Sequence, residues 1–131
     1  PGTYIYNDRS LVTRGTAQWD DCALTVLATV ISTPTEKRAI IDAGSKVLTS
    51  DLLGMDGYGY VVDHPDLTIN ALSEEHGIML SKTPHQLSVG QRVRIIPNHA
   101  CVVTNMMDRI TLLRGKKIEG EEIVAARGCV T

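Results

Sequence analysis

The chain has 131 residues, 43% hydrophobic and 21% charged, with a formal net charge of -2. This is one ordinary domain, long enough for a sizeable core and too apolar for disorder. Lys and Arg form no run, so charge favours neither nucleic acid nor an anionic membrane as partner, and no apolar stretch nears the roughly 18 residues a membrane helix needs. No basic, apolar signal opens the chain. The three cysteines, Cys22, Cys101 and Cys129, are odd in number and far apart. That argues against a disulfide framework and makes a reducing cytoplasm the expected compartment. The chain opens on Pro1 without a methionine and is expected to be a fragment or processed piece.

In chain order, Tyr4-Ile5-Tyr6 predicts a short strand closed by the turn residues Asn7-Asp8. Residues 9–21 are polar apart from Trp19, the only tryptophan. The apolar, β-branched run Cys22–Thr33 predicts a long, largely buried strand stopped at Thr33-Pro34-Thr35, with Arg38–Ala43 as its hairpin partner. Ser45–Leu53 is mixed. The glycines of Gly54-Met55-Asp56-Gly57-Tyr58-Gly59-Tyr60 lack phosphate-binding spacing and no helix follows, so they predict a turn. Further strands are predicted at Tyr60–Val62, Leu67–Ala71, Ile78–Leu80, Arg92–Ile96, Asp108–Arg114 and Glu122–Ala126. Short strands at this spacing, without a long helical period, predict a mostly β fold, a small barrel or sandwich.

One stretch stands out, Pro97-Asn98-His99-Ala100-Cys101-Val102-Val103-Thr104-Asn105. If this β-branched run is extended, His99 and Cys101 point from one face. Nitrogen and sulfur donors together suit a borderline-soft divalent ion such as zinc. Two ligands close no zinc site, however, so open positions or a partner's ligands are needed. Equally open is a packing role, with Cys101 as a small hydrophobe and His99 as a hydrogen-bonded core residue.

Other candidates are fewer. Glu74 and His76 would share a strand face, allowing a carboxylate to orient an imidazole as a general base, with Glu75 beside them; the alternative is a solvated turn. Asp42, Lys46 and Asp51 read as a salt-bridged loop, and nothing near Lys46 suggests a desolvated, imine-forming amine. His64 and His85 each adjoin a proline and are expected to be exposed. Cys22, Cys129 and Met106-Met107 are expected to pack. No Ser-His-Asp set, HExxH, paired CxxC or Walker motif occurs.

An ordered set of short stretches, spread over almost the whole chain, resembles the C-terminal domain of the D-serine dehydratase and D-threonine aldolase family. They are Pro1-Gly2-Thr3-Tyr4, Ile41–Lys46 with Ser50-Asp51, Leu72–Gly77, Val89–Val93, Ile96–Cys101 and Ala126-Arg127-Gly128. The resemblance implies an alanine-racemase-like enzyme in which residues 1–131 form a C-terminal β domain beside an N-terminal (β/α)8 barrel. That barrel, absent from this chain, would hold pyridoxal phosphate on a lysine. The resemblance further implies a divalent metal on His99 and Cys101, acting as a Lewis acid on the β-hydroxyl of a D-amino acid. Cys101 tilts the metal toward zinc rather than manganese, and because the dehydratase branch of the resembling family carries cysteine there while several aldolases carry aspartate, the resemblance implies dehydration rather than aldol cleavage.

Glu75 and His76 are the candidates for approach to the substrate. The expected partners are the chain's own barrel, a small D-amino acid and a second subunit of a homodimer. Alone, the chain is expected to be inactive, to bind metal weakly or not at all, and to expose apolar surface that the barrel would cover. Two other readings stay open: a racemase of the same architecture without metal chemistry, and a non-catalytic β-barrel binding module.

Overall fold

In a computed structural model, residues 2–129 are described, and Pro1 of the first resembling stretch lies outside them. Six antiparallel strands close into a barrel: β1 (Val26–Thr35), β2 (Arg38–Ile41), β3 (Tyr60–Val61), β4 (Leu67–Leu72), β5 (Gly77–Ser81) and β6 (Arg92–Ile96). Their order around the barrel is β1-β2-β5-β4-β3-β6, and β6 closes on β1 through pairs such as Val26 with Ile95 and Ala28 with Val93.

The alternation of each strand decides what fills the interior. Ala28, Val30, Ala39, Ile41, Val61, Leu67, Ile69, Met79, Val93 and Ile95 point inward and are buried, while Leu27, Ile31 and Leu80 between them face out. Closure leaves none of the six strands with an open side. Pro34 sits inside β1 at its exposed end, beyond the register shift that follows Ser32, where a missing N–H costs the ladder little.

The barrel is tight where β2 meets β5. Gly77 faces Ile41, and a Cβ at Gly77 would lie 2.8 Å from the Ala43 carbonyl oxygen and 2.9 Å from Cγ1 of Ile41.

Three short helices and a hairpin decorate the barrel. They are α1 (Arg9–Thr13), α2 (Ser45–Leu48), α3 (Ala100–Met106) and the pair β7 (Arg109–Arg114) and β8 (Lys117–Ile123). Leu24, Ala100 and Val103 form a second, smaller apolar cluster with Tyr6, Val26 and Ile110 against it, so the N-terminal segment, α3 and the hairpin meet there.

Several expectations need correction. Tyr4-Ile5-Tyr6 is not a strand: Thr3–Ile5 is a 3-10 turn, exposed at Tyr4 and Ile5. Cys22–Thr25 precede β1 rather than extending it. The last strand begins at Lys117, because its register is set by pairing with β7 across the Gly115 turn, and residues 124–128 leave it. His64 and His85 are half-buried rather than exposed. Nδ1 of His85 accepts from the Leu87 amide, and its Nε2 is shielded without a partner. Met106 and Cys129 are exposed, whereas Cys22 is buried as expected.

Gly77→Ala is expected to lower stability by about 1–3 kcal/mol, the usual cost of overpacking, because both neighbours of the new methyl belong to the barrel wall. Urea unfolding of the variant beside the wild type checks this.

Candidate functional site

His99 and Cys101 do not lie on a strand. His99 caps α3 and Cys101 is that helix's second residue, so the extended-run expectation fails. Strand-forming Val102, Val103 and Thr104 are overruled by tertiary packing: Ala100 and Val103, three apart, both insert into the second apolar cluster. The Thr104 hydroxyl donates back to the Ala100 carbonyl at 2.8 Å, as such residues do within helices. Consequently Cys101 faces outward and is exposed, and His99 is partly buried. Neither packs as an apolar core residue.

What places the pair is a polar knot beneath it. The Asn98 side chain, 1% exposed, donates to the carbonyls of Asp51 at 2.8 Å and Gly57 at 2.9 Å. Its Oδ1 accepts from Nη1 of Arg9 at 3.1 Å. The same guanidinium donates to the carbonyls of Asp56, Gly57 and Gly59. Burial holds the Arg9 pKa below its ordinary value while nearby Asp56 opposes that shift. Gly57 takes part because its φ of +75° suits glycine and a Cβ there would meet the Ile69 carbonyl at 2.8 Å.

The glycine-rich segment, expected as a turn, thus presents its carbonyls to Arg9 and Asn98. The bond from Asn98 to Asp51 also secures the turn after α2, where Thr49 takes a φ of +63°. That conformation is costly for a β-branched residue and persists only where its surroundings enforce it. Asp51 Oδ2 then lies 3.5 Å from Nδ1 of His99. A carboxylate on that side orients the ring and leaves Nε2 free to bind a metal.

Lys46 joins neither Asp42 nor Asp51. Its Nζ lies 3.1 Å from Glu74 and 2.6 Å from Glu75, and Asp42 instead accepts from the Thr29 amide. Hydrogen bonding to Glu75, then to Glu74, raises the Lys46 pKa, and the same bond from Lys46 lowers that of Glu75. Glu74-Glu75-His76 form an exposed turn before β5, so no strand face joins Glu74 to the imidazole.

A lysine held as a cation by two carboxylates does not fit the imine-forming role that pyridoxal phosphate requires. The donors at His99 and Cys101 do fit zinc in kind, one nitrogen and one sulfur. Among the described residues, no group of three or more His, Cys, Asp or Glu side chains gathers as a metal cluster.

The six-stranded closed barrel is similar to part of an alanine-racemase-like protein from Idiomarina loihiensis, with a TM-score of 0.82 at 29% identity over 92% of this chain and 36% of that one. Residues 23–113 match the family of serine dehydratase domains, and the chain belongs to that family. It is 41% identical over 114 residues to uncharacterised proteins of Mycobacterium bovis and Mycobacterium tuberculosis, covering 82% of this chain and 86% of theirs. It is 31% identical over 133 residues to a D-threonine aldolase of an Arthrobacter species, covering 97% of this chain but 33% of the aldolase.

Among solved structures, D-threonine aldolase from Filomicrobium marinum matches with a TM-score of 0.83 at 30% identity, covering all of this chain and 36% of the enzyme. D-threo-3-hydroxyaspartate dehydratase has been solved as a cysteine-to-alanine mutant in the metal-free form, matching with a TM-score of 0.77 at 29% identity over 93% of this chain and 37% of that one. A histidine-to-alanine mutant of that dehydratase also matches, and its replaced residue stands two positions before the cysteine. The chain therefore spans about a third of the length of these named enzymes and most of the mycobacterial proteins.

Sequence reasoning found the His-x-Cys pair but missed Asp8, Arg9 and Asn98. The signal for Asp8 was present, since an aspartate before a helical turn is a favoured cap; Asp8 does cap α1 by accepting from Leu11 N. Asn98→Ala is expected to cost about 1–3 kcal/mol, because it removes three hydrogen bonds in a buried place and leaves the Asp51 carbonyl without its Asn98 donor, while Arg9 still serves the Gly57 carbonyl. Urea unfolding, with the denaturant slope checked for constancy, measures it.

Proposed function

We propose that this chain is the metal-bearing β domain that closes the active site of a pyridoxal-phosphate-dependent lyase acting on β-hydroxy D-amino acids. The observation that carries this reading is the His99–Cys101 pair, held outward at the head of α3 with Asp51 against the imidazole. Its spacing equals that of the histidine and cysteine replaced in the dehydratase mutants, one of them metal-free.

His99 through Nε2 and Cys101 through Sγ would hold a divalent ion, with zinc favoured over manganese by the thiolate. At that pair a bound metal supplies Lewis-acid polarisation of a substrate β-hydroxyl. Asp51 sets the imidazole orientation, and Lys46 keeps Glu75 in its carboxylate form beside His76, the two candidates for approach to the substrate from this domain.

Pyridoxal phosphate would sit in a separate (β/α)8 barrel, the natural partner for the apolar face between β1, α3 and the hairpin. A homodimer in a cytoplasmic setting completes the reading. Among the described residues no helix is long and apolar enough to cross a membrane.

One observation favours a second reading. The mycobacterial relatives are covered over 86% of their length by this one domain, which leaves no room in them for a barrel of the roughly 250 residues that fold needs. That coverage supports a stand-alone β-barrel binding module as the second reading. A racemase of the same architecture gains no such support.

Elemental analysis of the full-length protein, wild type beside a His99→Ala, Cys101→Ser double variant, separates these readings. About one zinc per chain, lost in the variant together with D-serine or D-threonine turnover, is the result expected for a closed four-coordinate centre. Turnover in a metal-free wild type would return the assignment to a racemase. Metal uptake without turnover would support the binding module.

A further inference from the structure

The segment Thr3–Ser10 runs beneath the His99–Cys101 pair and touches almost every backbone group that positions it. The Arg9 amide donates to the Pro97 carbonyl at 3.1 Å and the Ser10 amide to the Asn98 carbonyl at 3.3 Å. Asp8 is fully buried, and its two carboxyl oxygens divide their work. Oδ1 accepts from the Ser10 hydroxyl at 2.6 Å and the Leu11 amide at 3.2 Å, while Oδ2 accepts from the Ala100 amide at 2.9 Å.

The Ala100 amide lies between His99 and Cys101 in the chain and is the first of α3. His99 caps that helix without a side-chain hydrogen bond. Asp8 thus supplies, from 92 residues away, the N-terminal cap that the helix lacks locally. At the other end of the same segment, the Thr3 hydroxyl lies 3.3 Å from the Cys101 sulfur, within hydrogen-bonding reach of it.

We infer that Asp8 and Thr3 are positioning residues for the His99–Cys101 pair, Asp8 by locking the Ala100 amide between the two donors and Thr3 by donating to the Cys101 sulfur when it ligates as thiolate. This rests on the metal-pair reading above. Besides its cap on α1, Asp8 commits its second oxygen to the amide that lies between the two donors in the chain. Thr3 is half-buried in a 3-10 turn that has no buried residue, and its hydroxyl meets the Cys101 sulfur.

The test is cobalt(II) titration of the full-length protein, followed by the thiolate-to-cobalt charge-transfer absorption, with amide exchange at Ala100 as a metal-independent readout. Thr3→Val leaves the fold intact and is expected to weaken cobalt binding about tenfold and to move the charge-transfer band, in line with the usual loss on removing an outer hydrogen bond. Asp8→Asn keeps the side-chain volume and is expected to speed Ala100 exchange and to weaken cobalt binding by a similar factor. Exchange in β5 should stay near wild type, which separates this from global unfolding.

His99→Ala with Cys101→Ala serves as the control for the site itself. If that control abolishes the band while Thr3→Val and Asp8→Asn bind as tightly as wild type with an unmoved band, the positioning inference is wrong and the site stands. If the control binds cobalt as wild type does, or the wild type binds none, the metal pair fails and the inference falls with it.

Discussion

The placement of this domain's candidate donors depends on one buried amide side chain and the groups around it. Asn98 fastens the loop before α3 to the carbonyls of Asp51 and Gly57, and Arg9 fastens Asn98 to the glycine-rich segment. Buried polar groups are costly unless each is satisfied, and a satisfied network admits few alternative geometries. That is why a partly buried His99 and an exposed Cys101 can hold a defined direction on a short helix that would be marginal alone.

The barrel gives this knot a rigid base. The interior is filled by aliphatic side chains and Met79, contains no Phe, and is closed on itself, so the rims and not the strands carry the polar work. On the other flank the hairpin stands away from the barrel with Leu112, Leu113, Ile118 and Ile123 exposed. Between it and the barrel runs an apolar groove of about 650 Å³, bordered by Leu27 and Val103 among others.

Lys46 is engaged by Glu74 and Glu75, so this domain does not offer it as an imine-forming amine. Under the proposed function, His99 and Cys101, with Asp51 against the imidazole, would supply two ligands and whatever faces the domain would supply the rest. The same domain matches most of the length of the mycobacterial proteins and about a third of the named enzymes.

Much was legible in the chain itself. Period-two alternation at Leu67–Ala71, Val93 and Ile95 on one face of Arg92–Ile96, and the β-branched run Cys22–Thr33 point to strands of a mostly β fold, because alternation states directly which face meets the core. His99 and Cys101 were legible as candidate donors, since residue type alone carries ligand chemistry. Only the tertiary structure decided that the strands close into a barrel, that residues 100–106 are a helix and that Tyr4–Tyr6 is not a strand. It alone decided, too, that Lys46 pairs with Glu74 and Glu75, and that Asp8 and Asn98 bond around the start of α3. These outcomes turn on contacts between residues dozens of positions apart, such as Asp8 with Ala100. Local propensity holds no information about such contacts, and the free energy of satisfying a buried polar group exceeds the few tenths of a kcal/mol by which propensities differ.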